Sequence, residues 1–193
     1  MGSEIMYRVL VALGANLASE GRTPASMLDA ALDALEWAGL PVQSRSRWYR
    51  SAAIPAGSGP DFVNGAAMLS ADSAQTPETL MATLHEVEAS LGRERRTRWE
   101  PRVCDLDLLA IDDQILPDRM TVARWMSLDP QTASTLAPDE LLLPHPRMHE
   151  RGFVLVPLAE IAPDWRHPIR GETIAAMAEG LPETALEGLV PID

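Results

Sequence analysis

The chain contains no lysine and only one cysteine in 193 residues; all sixteen of its basic side chains are arginine. A lone cysteine excludes a disulfide framework and a thiolate metal cluster. Cys104, beside the apolar stretch that follows it, reads instead as a small buried residue of a strand. No apolar run approaches the roughly 18 residues needed to cross a bilayer. The run Val9 to Leu13 also lacks the basic flank of a signal peptide. A cytoplasmic protein without membrane association is therefore expected. Nucleotide and protease signatures are missing as well: there is no G-x-x-x-x-G-K, no G-x-G-x-x-G, no H-E-x-x-H and no serine elbow. The net charge of -12 opposes general nucleic-acid binding.

Against that acidic background, Arg93, Arg95, Arg96, Arg98 and Arg102 crowd into ten residues. A basic cluster inside an acidic protein points to a local anionic ligand, and guanidinium forks suit phosphate oxygens. Directly downstream stand Asp105 and Asp107. In an extended strand an i, i+2 pair shares one face, so both carboxylates point one way while Cys104, Leu106 and Leu108 point the other. The segment thus combines phosphate-binding cations with two hard oxygen ligands for a divalent metal. The alternatives are a solvated charged loop for the arginines and simple pairing with arginine for the aspartates. Phe62 and Phe153 are the only phenylalanines. Core packing is the default for both, but two aromatic faces can also sandwich a flat heterocycle whose edge Asn64 would bind. His145 lies between two prolines; His85, His149 and His167 read as polar surface residues.

The patterning gives strands at Met6 to Leu13, Val42 to Tyr49, Phe62 to Leu69 and Leu106 to Ile111. Helices open at Pro24 and, behind a Thr76 cap, at Pro77. The order is that of a ferredoxin-like βαββαβ sandwich, an α+β fold with helices packed on an antiparallel sheet. A C-terminal extension follows, with a buried helix at Gly152 to Ile161 and a short one near Thr173 to Glu179. The chain is expected to form one domain, 1–193, with an insertion or long loop at 116–138.

Six stretches in order resemble the successive motifs of the 6-hydroxymethyl-7,8-dihydropterin pyrophosphokinase family. They are Ala12-Leu13-Gly14-Ala15-Asn16-Leu17; Tyr49-Arg50-Ser51; Asp61-Phe62-Val63-Asn64; Glu88 with Leu91-Gly92-Arg93; Arg98-Trp99-Glu100-Pro101-Arg102 with Asp105-Leu106-Asp107; and Pro144-His145-Pro146-Arg147 with Arg151-Gly152-Phe153-Val154-Leu155. The resemblance implies transfer of the ATP diphosphate to the pterin hydroxymethyl group, with AMP released, in folate synthesis. It implies two magnesium ions held by Asp105 and Asp107, with Arg93 and Arg102 on the transferred phosphates. His145 and Arg151 match ATP-phosphate contacts, Glu88 belongs to the nucleotide side, and Trp99 matches a loop residue that closes over the substrates. Phe62 and Phe153 would stack on the pterin, Asn64 would bind its edge, and Ser51 and Ile54 would contribute there. Arg95 and Arg98 join the ATP-binding set through the arginine cluster.

Because no histidine is favoured by the sequence as a base, Asp107 is the candidate proton acceptor. The expected partners are small molecules, ATP and the pterin, in a monomer or at most a weak dimer. The competing reading is a ferredoxin-like module that binds RNA or protein without catalysis.

Overall fold

The computed structural model describes residues 6–19, 21–53, 59–92 and 103–192. Strand β1 (Met6–Ala15) is followed by α1 (Pro24–Trp37), β2 (Val42–Arg45), β3 (Trp48–Ser51) and β4 (Phe62–Asp72). Then come α2 (Pro77–Ser90), β5 (Asp105–Ile111), α3 (Arg119–Met126) and α4 (Pro130–Thr135). A 3-10 turn (Met148–Glu150), α5 (Gly152–Ile161), α6 (Ile174–Glu179), α7 (Glu183–Leu186) and β6 (Val190–Ile192) complete the order. The fold is α+β, with one antiparallel sheet in the order β5-β1-β4-β3-β6 and β2 also paired to β4. Among the described residues, no helix is long and apolar enough to cross a membrane.

The helices start where the sequence provides caps. Thr23 and Thr76 accept from the N–H groups of Ser26 and Thr79, and each is followed by proline. Side-chain alternation then sorts the sheet into two faces. Val9, Val11, Leu13, Leu106, Leu108, Ala67, Leu69 and Trp48 join Leu28, Leu35, Leu80 and Leu84 of α1 and α2 in one core, which includes the fully buried Cys104. Leu10, Ala12, Ala66, Leu109 and Ala110 join Val154, Leu155 and Leu158 of α5 in the other.

Gly65 is required by that packing. A Cβ on Gly65 would stand 2.4 Å from two ring atoms of Trp48, whose indole N–H donates to Asp29. Gly65→Ala should therefore displace the ring and lower stability by about 1–3 kcal/mol; an unchanged thermal midpoint would overturn this.

The single strand expected over Val42 to Tyr49 is two, β2 and β3. Between them Ser46 departs from the ladder, its hydroxyl accepting from Ala66 N while its own N–H donates to Ala66 O. The segment 116–138 carries α3 and α4, and its base is closed by reciprocal backbone bonds between Leu116 and Leu143.

His167 is not a surface residue. It is fully buried, and its Nδ1 accepts from the N–H groups of Ile169 and Arg170. Burial, with His149 and Arg170 adding to it, pushes its pKa down to about 4. An unfolded histidine titrates near 6.5, so between these values the unfolded chain binds more protons. Stability should be full above about pH 6.5 and fall towards pH 4, by on the order of 2 kcal/mol for this ring once solvent screening of its neighbours is allowed for. His167→Asn should flatten the pH dependence of the urea midpoint; an unaltered slope would exclude His167 as its source.

Candidate functional site

The α5 face of the sheet changes character at one end, where β1 and β3 finish and β4 and β5 begin. Across that end the register pairs Tyr49 with Asn64, Asn64 with Gly14, and Gly14 with Asp105; one step in, Ala66 pairs with Ala12 and Ala12 with Asp107. Paired residues share a face, so Asp105 and Asp107 lie on the same side as Asn64 and Ser51. The residues between them, Gly14 and Ala12, are the smallest in the row. The result is a shallow floor with carboxylates on one flank and an amide on the other.

On the amide flank, Asn64 is buried at 5% exposure and its amide donates to Ser51 Oγ at 2.9 Å. That bond orients the amide and leaves its oxygen near Gly14, where a Cβ would sit 3.5 Å from Oδ1. Phe62, paired with Ser51, belongs to the same face, and Phe153 packs on the α5-side core. Both rings are half-buried.

On the acidic flank, Arg151 stands over β5 at the start of α5. Its guanidinium is 3.9 Å from Asp107 Oδ2 and 5.8 Å from the Phe153 ring centroid. Burial pulls the Arg151 pKa down while Asp107 opposes this, and the group stays cationic at neutral pH. Among the described residues no side chain caps the α5 N-terminus, so its first-turn N–H groups and the helix dipole favour an anion there.

His145 is positioned by a feature that the sequence did not signal. Leu10 pairs with Ala110 but Val11 with Leu108, so Leu109 is the extra residue of a bulge in β5. Its carbonyl accepts from His145 N at 2.8 Å. His145 Nδ1 accepts from Arg147 N at 3.1 Å, which assigns the proton of the neutral ring to Nε2. Burial, with Arg151 adding to it, pushes this imidazole down to about 4, so it is a neutral donor at pH 7.

Glu88 is 1% exposed, and its Oε1 accepts from Leu106 N at 2.7 Å, between the two aspartates. It ties α2 to the strand that carries them.

Seven of the residues singled out by the sequence, Ile54, Arg93, Arg95, Arg96, Arg98, Trp99 and Arg102, lie outside the described residues. Among the described residues, no group of three or more His, Cys, Asp or Glu could hold a metal ion alone. Two half-exposed carboxylates on one face fit magnesium differently, because this ion takes one or two protein carboxylates and completes its shell with phosphate oxygens and water.

Comparison with known proteins bears on this geometry. The sequence model described as 7,8-dihydro-6-hydroxymethylpterin-pyrophosphokinase matches residues 10–163. A 2-amino-4-hydroxy-6-hydroxymethyldihydropteridine pyrophosphokinase of Synechocystis is 38% identical over 80% of this chain and 67% of its own. Its namesake in Methylorubrum extorquens is 34% identical over 94% of this chain and 98% of its own. The one in Pseudomonas aeruginosa is 37% identical over 85% and 86%. Among solved structures, wild-type Plasmodium falciparum HPPK-DHPS superposes with a TM-score of 0.64 at 13% identity, over 93% of this chain. The present chain spans 45% of that longer one, and the likeness is one of fold.

Proposed function

The chain belongs to the 7,8-dihydro-6-hydroxymethylpterin-pyrophosphokinase family, and from this membership and the site geometry we propose how it works. It is a pyrophosphokinase of folate biosynthesis, using ATP to convert 6-hydroxymethyl-7,8-dihydropterin to its diphosphate with release of AMP. The observation that carries this reading is the common face shared by Asp105, Asp107, Asn64 and Ser51, with Arg151 3.9 Å from Asp107.

The hydroxymethyl oxygen attacks the β-phosphorus in line, the bond between that phosphorus and the α-bridging oxygen breaks, and the oxygen leaves with AMP. Asp105 and Asp107 would hold two magnesium ions, which when bound would supply positive charge to offset the charge passing from the transferred group to AMP. A carboxylate has two oxygens, so Asp107 can also accept the hydroxymethyl proton. Arg151 and the Nε2 proton of His145 donate to the phosphates, with the α5 N-terminus adding its dipole. Arg93, Arg95, Arg98, Trp99 and Arg102 complete the ATP side, and Arg93 and Arg102 neutralise the group in flight. Glu88 serves the nucleotide side by holding β5. The pterin lies between Phe62 and Phe153 with its edge on Asn64, and Ser51 and Ile54 contribute to its binding. The chain acts as one ferredoxin-like domain with a C-terminal extension, in the cytoplasm, as a monomer or at most a weak dimer, on small-molecule substrates.

One assay decides the activity: AMP release from ATP and magnesium, with and without 6-hydroxymethyl-7,8-dihydropterin. Pterin-dependent AMP is expected. Pterin-dependent ADP, or no pterin dependence, would overturn the reading.

A further inference from the structure

The residues matched by the family model end at 163, yet the chain beyond them returns to both walls of the pterin site. At one wall, α7 packs against the start of α5. A Cβ on Gly152 would lie 2.0 Å from the Ala185 carbonyl oxygen and 3.4 Å from the Leu186 side chain. Gly152 separates Arg151 from Phe153, so the backbone of α7 packs against the residue directly before the ring proposed to stack on the pterin. At the other wall, β6 adds to the edge of β3, pairing Val190 with Arg50, Pro191 with Tyr49 and Ile192 with Trp48. The next residue of β3 is Ser51, the hydrogen-bond partner of Asn64. Between the walls the chain turns at Gly188, whose φ of 71° suits glycine, and Leu189 N donates to Leu186 O. The far end is anchored, since Ile192 packs against the α1/α2 core.

We propose that Glu183–Ile192 is a strap that fixes the Ser51 wall against the Phe153 wall and so sets affinity for the pterin; this rests on the pterin reading given above. The distance between an aromatic face and the amide that reads the heterocycle's edge must be held for both to engage at once. A strand edge with only one neighbour moves more easily than one flanked on both sides. Without β6, strand β3 keeps its ladder to β4 and the bond from Tyr49 OH to Glu160 of α5 at 2.5 Å. Asp105, Asp107 and His145 are held from β5 and from Glu88, on the far side of the sheet from β6.

The test removes residues 187–193, leaving α7 over Gly152. Binding of 6-hydroxymethyl-7,8-dihydropterin is titrated in the presence of magnesium and α,β-methylene-ATP, whose α–β link cannot be cleaved, and KM values are measured for both substrates. Pterin affinity should weaken about tenfold, the scale of one loosened wall, with kcat and the KM for ATP unchanged. Ile192→Asp in the full chain should behave the same way, and Ile192→Val should restore wild-type affinity. Unchanged pterin affinity in both the truncation and Ile192→Asp would overturn the proposal. So would equal loss for ATP and pterin, which would make the strap a general structural brace. A wild-type protein that binds the pterin but forms no AMP would instead sink the catalytic reading and leave the strap to be judged by the binding data.

Discussion

Asp105→Asn and Asp107→Asn are each expected to lower pterin-dependent AMP formation by on the order of a thousandfold at saturating ATP and magnesium. Asparagine keeps the size and a single oxygen acceptor but removes the charge that a divalent cation and a moving phosphoryl group require. Both side chains are half-exposed on the open face of β5, so neither substitution leaves a cavity, and thermal stability should change little. The two variants should differ in one respect. Asp107 is also 3.9 Å from Arg151, so its replacement leaves that guanidinium without its carboxylate, whereas Asp105→Asn does not disturb that pair. Asp107→Asn should therefore alter ATP affinity as well as kcat. The measurement is AMP release across a magnesium titration. Wild-type rates in either variant at saturating magnesium would remove the aspartates from the chemistry.

This pair was legible in the sequence for a simple reason. A period of two needs only neighbouring residues, and the apolar Leu106 and Leu108 between and after the aspartates determine which face is buried. The helix starts at Pro24 and Pro77 were legible in the same local way, from a proline in the first turn and, before Pro77, a threonine cap. What the sequence did not reveal depends on distant partners. The β5 bulge that frees the Leu109 carbonyl for His145 appears only in the pairing of Leu10 and Val11 with a strand about a hundred residues away. The burial of His167 comes from packing beside Trp165 and His149, with backbone donors closing on its Nδ1. Strand β6 is three residues long, includes a proline and sits at the sheet edge, so neither periodicity nor propensity could mark it. Segment 116–138 lacks an apolar stripe because α3 buries only Val122 fully, although Asp118 caps it with bonds to Met120 N and Thr121 N.

Glu88 lies between these cases. Leu80, Leu84 and Glu88 recur every four residues, so a carboxylate occupies the buried stripe of α2, a conflict visible without any structure. The structure supplies the reason: a buried acceptor is needed for Leu106 N, at the strand position between the two aspartates. Glu88→Ala would leave that N–H without this oxygen and open a void beside Leu84, and it should lower stability by about 3 kcal/mol. Glu88→Gln retains an oxygen of the same reach and should keep most of that stability. A purely structural role would end there. If Glu88 instead fixes the spacing of Asp105 and Asp107, the magnesium concentration for half-maximal AMP formation should rise severalfold in Glu88→Ala, assayed well below its melting temperature, and return towards wild type in Glu88→Gln. An alanine variant that is destabilised yet has an unshifted magnesium midpoint would restrict Glu88 to holding α2 on the sheet.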